Sequence, residues 1–98
     1  MTVTATQTFT QEDSRMSFYD ADSNVVTHWY AAYVATDMLV SRSDTITKDG
    51  LTRTLVNVWK DQNSYDTFMA DPVISGFMAF RTQYNTTNKI TESTIILS

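Results

Sequence analysis

From residue 2 to 9 the chain alternates. Val3, Ala5, Gln7 and Phe9 fall on one side, and Thr2, Thr4, Thr6 and Thr8 on the other. This predicts a strand with one buried face, interrupted once by the polar Gln7. Residues 11–22 read as a polar connection whose Met16, Phe18 and Tyr19 fold back on the body. The period then changes. Val25, Val26, Trp29, Tyr30 and Tyr33 recur at helical spacing over one arc of about 140°. Asp22, Ser23 and Asn24 offer N-caps for this helix, and it ends near Asp37. His28 falls outside the arc, roughly 60° beyond its edge.

Met38 to Thr47 and Leu51 to Trp59 read as two strands joined at Asp49-Gly50. Gly tolerates the positive φ of a type I′ turn, so the expected loop has two residues. That loop sets a register. Ile46 then lies opposite Arg53, Asp44 opposite Leu55, Arg42 opposite Asn57 and Val40 opposite Trp59. The other face pairs Thr47 with Thr52, Thr45 with Thr54, Ser43 with Val56 and Ser41 with Val58. After Trp59-Lys60-Asp61 the pattern turns helical, with Asp61 or Asn63 as cap and Tyr65, Phe68 and Met69 inward. Asp71-Pro72 ends this helix near Ala70 and starts another, since Pro suits the first helical position behind an Asp cap. Val73, Phe77, Phe80 or Arg81, and Tyr84 line the faces of the second helix, which runs to about Tyr84. Asn85 to Lys89 is a polar loop, and Ile90 to Leu97 a last strand.

The order strand, helix, strand, strand, helix, strand gives two crossovers joined by a hairpin. The predicted fold is α+β, a ferredoxin-like βαββαβ arrangement with a four-stranded antiparallel sheet and two helices on one face. Residues 1–98 form one such domain. The other sheet face carries Thr, Ser and Val and lies open, so a homodimer through that face is expected.

The 98 residues carry a net charge of −4 and their seven basic residues are scattered, so nucleic acid and anionic membranes are not expected partners. Without cysteine there is no disulfide, thiolate chemistry or Cys-ligated metal. The first ten residues lack the basic start and apolar run of a signal peptide, no apolar stretch spans a membrane, and a cytoplasmic protein is expected.

Candidate chemistry concentrates on one hairpin face. Arg42, Asp44, Asn57 and Trp59 share it, either as the floor of a ligand pocket or as a cross-strand network that only pins register. Tyr65 and Tyr33 offer hydroxyls to such a pocket, or are core aromatics with the hydroxyl at the surface. His28, the only histidine, has no ligand partner at helical spacing and reads first as a surface or interface residue, with a general base reaching into a pocket as the alternative. Met38, Met69 and Met78 read as core filling.

A strand ending in Trp59-Lys60-Asp61, then Tyr65, Phe68, Asp71-Pro72 and a helix with Phe77, resembles the dimeric α/β-barrel superfamily. That superfamily includes antibiotic-biosynthesis-monooxygenase-like and stress-responsive barrel proteins. The resemblance is best over residues 38–97 and implies a dimeric α/β barrel. Haem-degrading members have Trp and His where Phe68 and Met78 stand here, so no haem is implied, and neither cofactor nor metal is expected. The cofactor-free monooxygenases are closer, through Trp59 and Tyr65. They carry Asn four residues before the Trp, where this chain has Leu55, and Asn57 is the nearest Asn. The main expectation is a small-molecule-binding or structural module, with a candidate pocket of Trp59, Asn57, Arg42, Tyr65 and Tyr33. The alternative is a cofactor-independent monooxygenase-like enzyme for a small aromatic or polyketide-like substrate.

Overall fold

A computed structural model describes residues 1–14 and 16–98. Its elements are β1 (Val3–Thr10), α1 (Ser23–Trp29) continuing as a π-helical turn (Tyr30–Val34), β2 (Leu39–Ile46), β3 (Thr52–Trp59), α2 (Gln62–Ala70), α3 (Pro72–Thr87) and β4 (Thr91–Leu97). The antiparallel strands lie in the order β2-β3-β1-β4. This is the ferredoxin-like α+β fold.

Short polar side chains set the helix boundaries. Asp22 accepts from the Val25 N–H and starts α1, and Asp61 accepts from the Ser64 N–H and starts α2. Asp71 accepts from the Val73 N–H, with Pro72 in the first turn of α3. Each cap satisfies an N–H that the helix itself leaves free. α3 ends in a Schellman motif. Lys89 takes φ +57°, its N–H donates to Thr86, and the Ile90 N–H reaches back to the Asn85 carbonyl. The helix therefore runs three residues past the expected Tyr84.

The hairpin turns differently from expectation. Gly50 alone has positive φ there (+77°), and its N–H donates to Thr47. Lys48 and Asp49 are thus the central pair, rather than Asp49 and Gly50. Asp49 Oδ1 fastens the loop by accepting from Thr47 Oγ1 and the Leu51 N–H. The Thr47 N–H still donates to Thr52, so the register from Ser41 to Ile46 is as expected. A bulge at Val40 then replaces the Val40–Trp59 pair with Leu39–Trp59. It turns the apolar Leu39 inward, leaving Val40 exposed.

The helices cover the sheet face that carries Val3, Ala5, Phe9, Leu55 and Trp59. Its apolar core has two parts. One joins Val3, Tyr33, Leu39, Trp59 and Ile74; the other joins Phe9, Leu55 and Ile90. Between them the sheet face is polar, because Gln7, Arg42 and Asn57 all point inward there. Several side chains expected inside are exposed: Val26, Tyr30, Met69 and Val73. The π turn rotates the later part of the first helix away from a uniform α-helical arc, which puts Tyr33 in the core and Tyr30 out. Met38 and Met78 do pack on the core.

Candidate functional site

These polar side chains floor a cavity of about 200 Å³ between sheet and helices. Gln7, Asn57, Arg42 and Arg53 come from the strands. Trp29 closes one side, Phe77, Met78, Arg81 and Asn85 line it from α3, and Phe18 to Ala21 line it from the connection after β1. Of the expected pocket residues, Asn57 and Arg42 line this cavity. Trp59, Tyr65 and Tyr33 lie together in the neighbouring aromatic cluster. Phe68 connects the two regions: it borders the cavity and stacks on Trp59 at 4.5 Å.

Among the described residues three arginines reach the cavity, and they differ in what neutralises them. Arg53 forks onto Asp44, with Nε–Oδ1 at 2.9 Å and Nη2–Oδ2 at 2.7 Å, and its Nη1 meets Asp20 at 2.7 Å. This bidentate bond holds the Asp44 carboxyl below the usual carboxylate range. Asp44 therefore belongs to Arg53. Arg42 is only 3.9 Å away from Asp44 and lies over the Trp29 ring at 5.5 Å. Of the Arg42–Asp44–Asn57 network considered from the sequence, only the long Arg42–Asp44 contact is present, and Asn57 Oδ1 is buried without a partner.

Arg81 is the third. It is 6% exposed, and its guanidinium sits over Phe9 at 4.9 Å and near Phe77 at 5.2 Å. Its Nε is buried without a hydrogen-bond partner, and among the described residues no carboxylate pairs with it. The carboxylate of Glu92 instead takes the Asn85 amide at 2.6 Å. Burial pushes the Arg81 guanidinium downward, with Glu92 opposing, but a guanidinium remains charged at neutral pH. The cavity is thus lined by a buried cation whose Nε, and a buried amide whose oxygen, have no hydrogen-bond partner. Such groups are costly unless something else satisfies them.

A second polar cluster lies outside the cavity. His28 Nε2–H and the Tyr33 hydroxyl both donate to Asp71 Oδ2, at 2.6 and 2.5 Å, while Asp71 Oδ1 caps α3. His28 and Tyr33 are five residues apart. They would diverge on an α-helix, and the intervening π turn brings them toward one face. Tyr33 thus has its hydroxyl tied to Asp71, rather than at the surface, and Asp71 is more than a helix start. Burial, reinforced by the Asp71 hydrogen bond, pushes the Tyr33 phenol up, so it remains a donor. Burial opposes ionisation of Asp71, but the hydrogen bonds from His28, Tyr33 and Val73 outweigh it and bring its pKa down to about 2. Among the described residues, no three His, Asp or Glu side chains gather as a metal site requires, and no helix is long and apolar enough to cross a membrane.

No protein-family model and no curated protein matches this sequence. Solved structures do. SnoaB, a cofactor-independent oxygenase from Streptomyces nogalater, is 17% identical, with 99% of this chain and 91% of that chain covered at a TM-score of 0.62. Rv0793 from Mycobacterium tuberculosis is also 17% identical, with 100% and 94% covered at 0.62. An antibiotic biosynthesis monooxygenase is 12% identical, with 100% and 97% covered at 0.57. The fold is that of the antibiotic-biosynthesis-monooxygenase-like proteins. At these identities the likeness carries architecture, and the chemistry has to be argued from the side chains here.

The sequence carried a faint signal for this cavity. Gln7 interrupts an otherwise apolar strand face, and Arg53 and Asn57 occupy inward positions of another. Three polar residues at inward positions of neighbouring strands mark a cavity floor more than a core. Arg81 was recoverable only as one of two adjacent candidates, because the phase of α3 rests on packing.

Proposed function

We propose that this chain binds a small planar aromatic molecule that carries an acidic oxygen beside a hydroxyl. The carrying observation is that Arg81 Nε and Asn57 Oδ1 are buried without hydrogen-bond partners, in residues that line one cavity. Arg81 supplies a positive charge in a poorly hydrated place, where an oxyanion gains more than it does in water. Asn57 Oδ1 supplies an acceptor for a ligand hydroxyl. Phe9, Phe18, Trp29 and Phe77 supply flat apolar walls. The volume is below the roughly 300 Å³ at which pockets for drug-sized ligands begin, which suits one or two rings.

The test is a fluorescence titration with hydroxynaphthoate. The expected result is saturable binding that weakens at least about tenfold in Arg81→Met, the factor carried by a lost charge-assisted hydrogen bond. Binding of the uncharged naphthol should change little. Equal losses for both compounds would show that Arg81 shapes the cavity without recognising charge.

A second reading is cofactor-independent oxygenation, in which the bound anion itself reacts with dioxygen. The pairing of a desolvated cation with an aromatic cavity favours it, because Arg81 would stabilise the ionised form of an enolisable ligand. The likeness to a cofactor-independent oxygenase adds the fold. Dioxygen uptake with an enolisable aromatic ketone, present in the wild type and lost in Arg81→Met, is the expected result under this reading.

A homodimer through the outer sheet face also belongs to this proposal. Thr4, Thr6, Val56, Val58, Ile95 and Leu97 share that face by register. Ile95 and Leu97 are exposed in the single chain, as apolar strand residues rarely are without a partner. Sedimentation is expected to give twice the protomer mass, and Val56→Asp to give a folded monomer. A monomeric wild type at micromolar concentration would remove the dimer.

A further inference from the structure

We infer that the segment Ser17–Ala21 is a gate over the cavity, latched by the Asp20–Arg53 ion pair and the Tyr84–Ser17 hydrogen bond. The inference rests on the reading that the cavity binds a ligand. The other walls belong to strands and helices, which cannot part without breaking ladders or packed helix faces. Phe18, Tyr19, Asp20 and Ala21 form the wall with no secondary structure of its own.

The attachments of this strap run through side chains. The Tyr84 hydroxyl donates to the Ser17 carbonyl at 2.6 Å. Arg53 Nη1 meets Asp20 Oδ1 at 2.7 Å and reaches the Tyr19 carbonyl only at 3.5 Å. The Tyr19 ring leans on Tyr84 and Phe77, with centroids 5.2 and 5.8 Å apart, and Phe18 packs beside Phe9, Leu55 and Ile90. The residues flanking the segment are fixed. Gln11 Nε2 donates to the Met16 carbonyl at 3.0 Å while also holding Gly50, and Asp22 caps α1.

The two ion pairs of Arg53 are unequal, and that inequality suits a latch. Toward Asp44 the guanidinium makes a two-bond fork within the sheet. Toward Asp20 it makes one contact to a side chain that is 71% exposed. An ion pair so open to water is weak. The strap can therefore lift from Arg53 while Arg53 stays held by Asp44, leaving the cavity floor intact. Lifting moves Phe18 and Tyr19 off the cavity and opens a path for a ligand; closing returns two aromatic walls.

The experiment is stopped-flow binding of hydroxynaphthoate to the wild type, Asp20→Asn and Tyr84→Phe. Tyr84 does not line the cavity, so its variant isolates the latch. In Tyr84→Phe, association and dissociation rates are both expected to rise about fivefold, the factor that one ordinary hydrogen bond supplies. Its Kd should stay within about twofold, because the latch holds the free and bound forms alike. Asp20→Asn should raise both rates as well. Backbone amides of the strap should exchange faster in both variants. Wild-type binding with unchanged rates in both variants overturns the gate and leaves the cavity reading standing. A faster dissociation in Tyr84→Phe with a matching loss of affinity also overturns it, since Tyr84 would then hold the ligand. Absence of wild-type binding overturns the cavity reading, and the gate with it.

Discussion

Trp59→Ala is expected to lower the free energy of unfolding by about 3–5 kcal/mol. Trp59 is 1% exposed and closes the sheet end of the larger core cluster. Its ring meets Tyr33 edge-on at 5.7 Å, Tyr65 at 6.4 Å and Phe68 in a tilted stack at 4.5 Å. Val3 and Leu39 pair with it from both neighbouring strands. Four elements thus converge on one indole, and no single neighbour can move to fill the space that alanine leaves. Small domains have only about 5–15 kcal/mol in total, so the variant should be partly unfolded at moderate temperature. Urea unfolding followed by circular dichroism measures this. A loss below about 1 kcal/mol, the usual size for a surface change, would mean that the ring is not packed as described.

Asp71→Ala is expected to cost about 3 kcal/mol, from two sources. It removes the N-cap of α3, typically worth about 1 kcal/mol. It also strips the buried Tyr33 hydroxyl of its acceptor, and an unsatisfied buried group costs about 1–3 kcal/mol. Tyr33 is 3% exposed and its hydroxyl points at Asp71 Oδ2, so water cannot readily replace the carboxylate. Asp71→Asn should cost less, because an Asn oxygen can still cap the helix and accept from Tyr33.

The same residue gives a pH signature. The folded pKa of Asp71, about 2, lies below the ordinary 3.8. Its contribution to stability is therefore present above pH 3.8 and is lost as pH falls toward 2. The wild type should lose stability across that window, and Asp71→Ala should show a flatter acid limb. Thermal melts between pH 2 and 5 compare them, and identical acid limbs would show that the carboxylate is not the group responsible.

Both predictions rest on residues that the sequence marks for ordinary reasons. Trp59 ends a strand of alternating residues, and Asp71-Pro72 announces a helix start. The structure adds their partners. His28 and Tyr33 reach Asp71 only through a π turn, a local change of pitch that no spacing rule over Val25 to Tyr33 reveals. Its consequence is that His28, which a uniform helix directs away from the apolar arc, donates to a buried-side carboxylate.

The arginines make the same distinction. Arg53 stands at an inward strand position, but its pairing with Asp44 and Asp20 depends on the strap after β1 folding over the sheet. Phe80 and Arg81 compete for one inward position on α3. Hydrophobicity favours Phe80, yet Phe80 is 65% exposed and Arg81 is buried. The phase of α3 is set by Ile74 in the core and Asn85 at the far end, both buried, and Arg81 lies between them at helical spacing.

The sequence by itself determined the order of the elements, the Asp71 cap and the few candidates for the other two caps, the break at Asp71-Pro72 and the hairpin register from Ser41 to Ile46. These follow from neighbours along the chain: alternation, helical period, and side chains that bond their own backbone. Only the tertiary structure decided the bulge at Val40, the π turn, and which of two adjacent residues on α3 enters the protein. It also decided that Gln7, Arg42 and Asn57 line one cavity with Arg81. Those outcomes depend on packing between segments far apart in sequence, where the competing arrangements differ by only a few side-chain contacts.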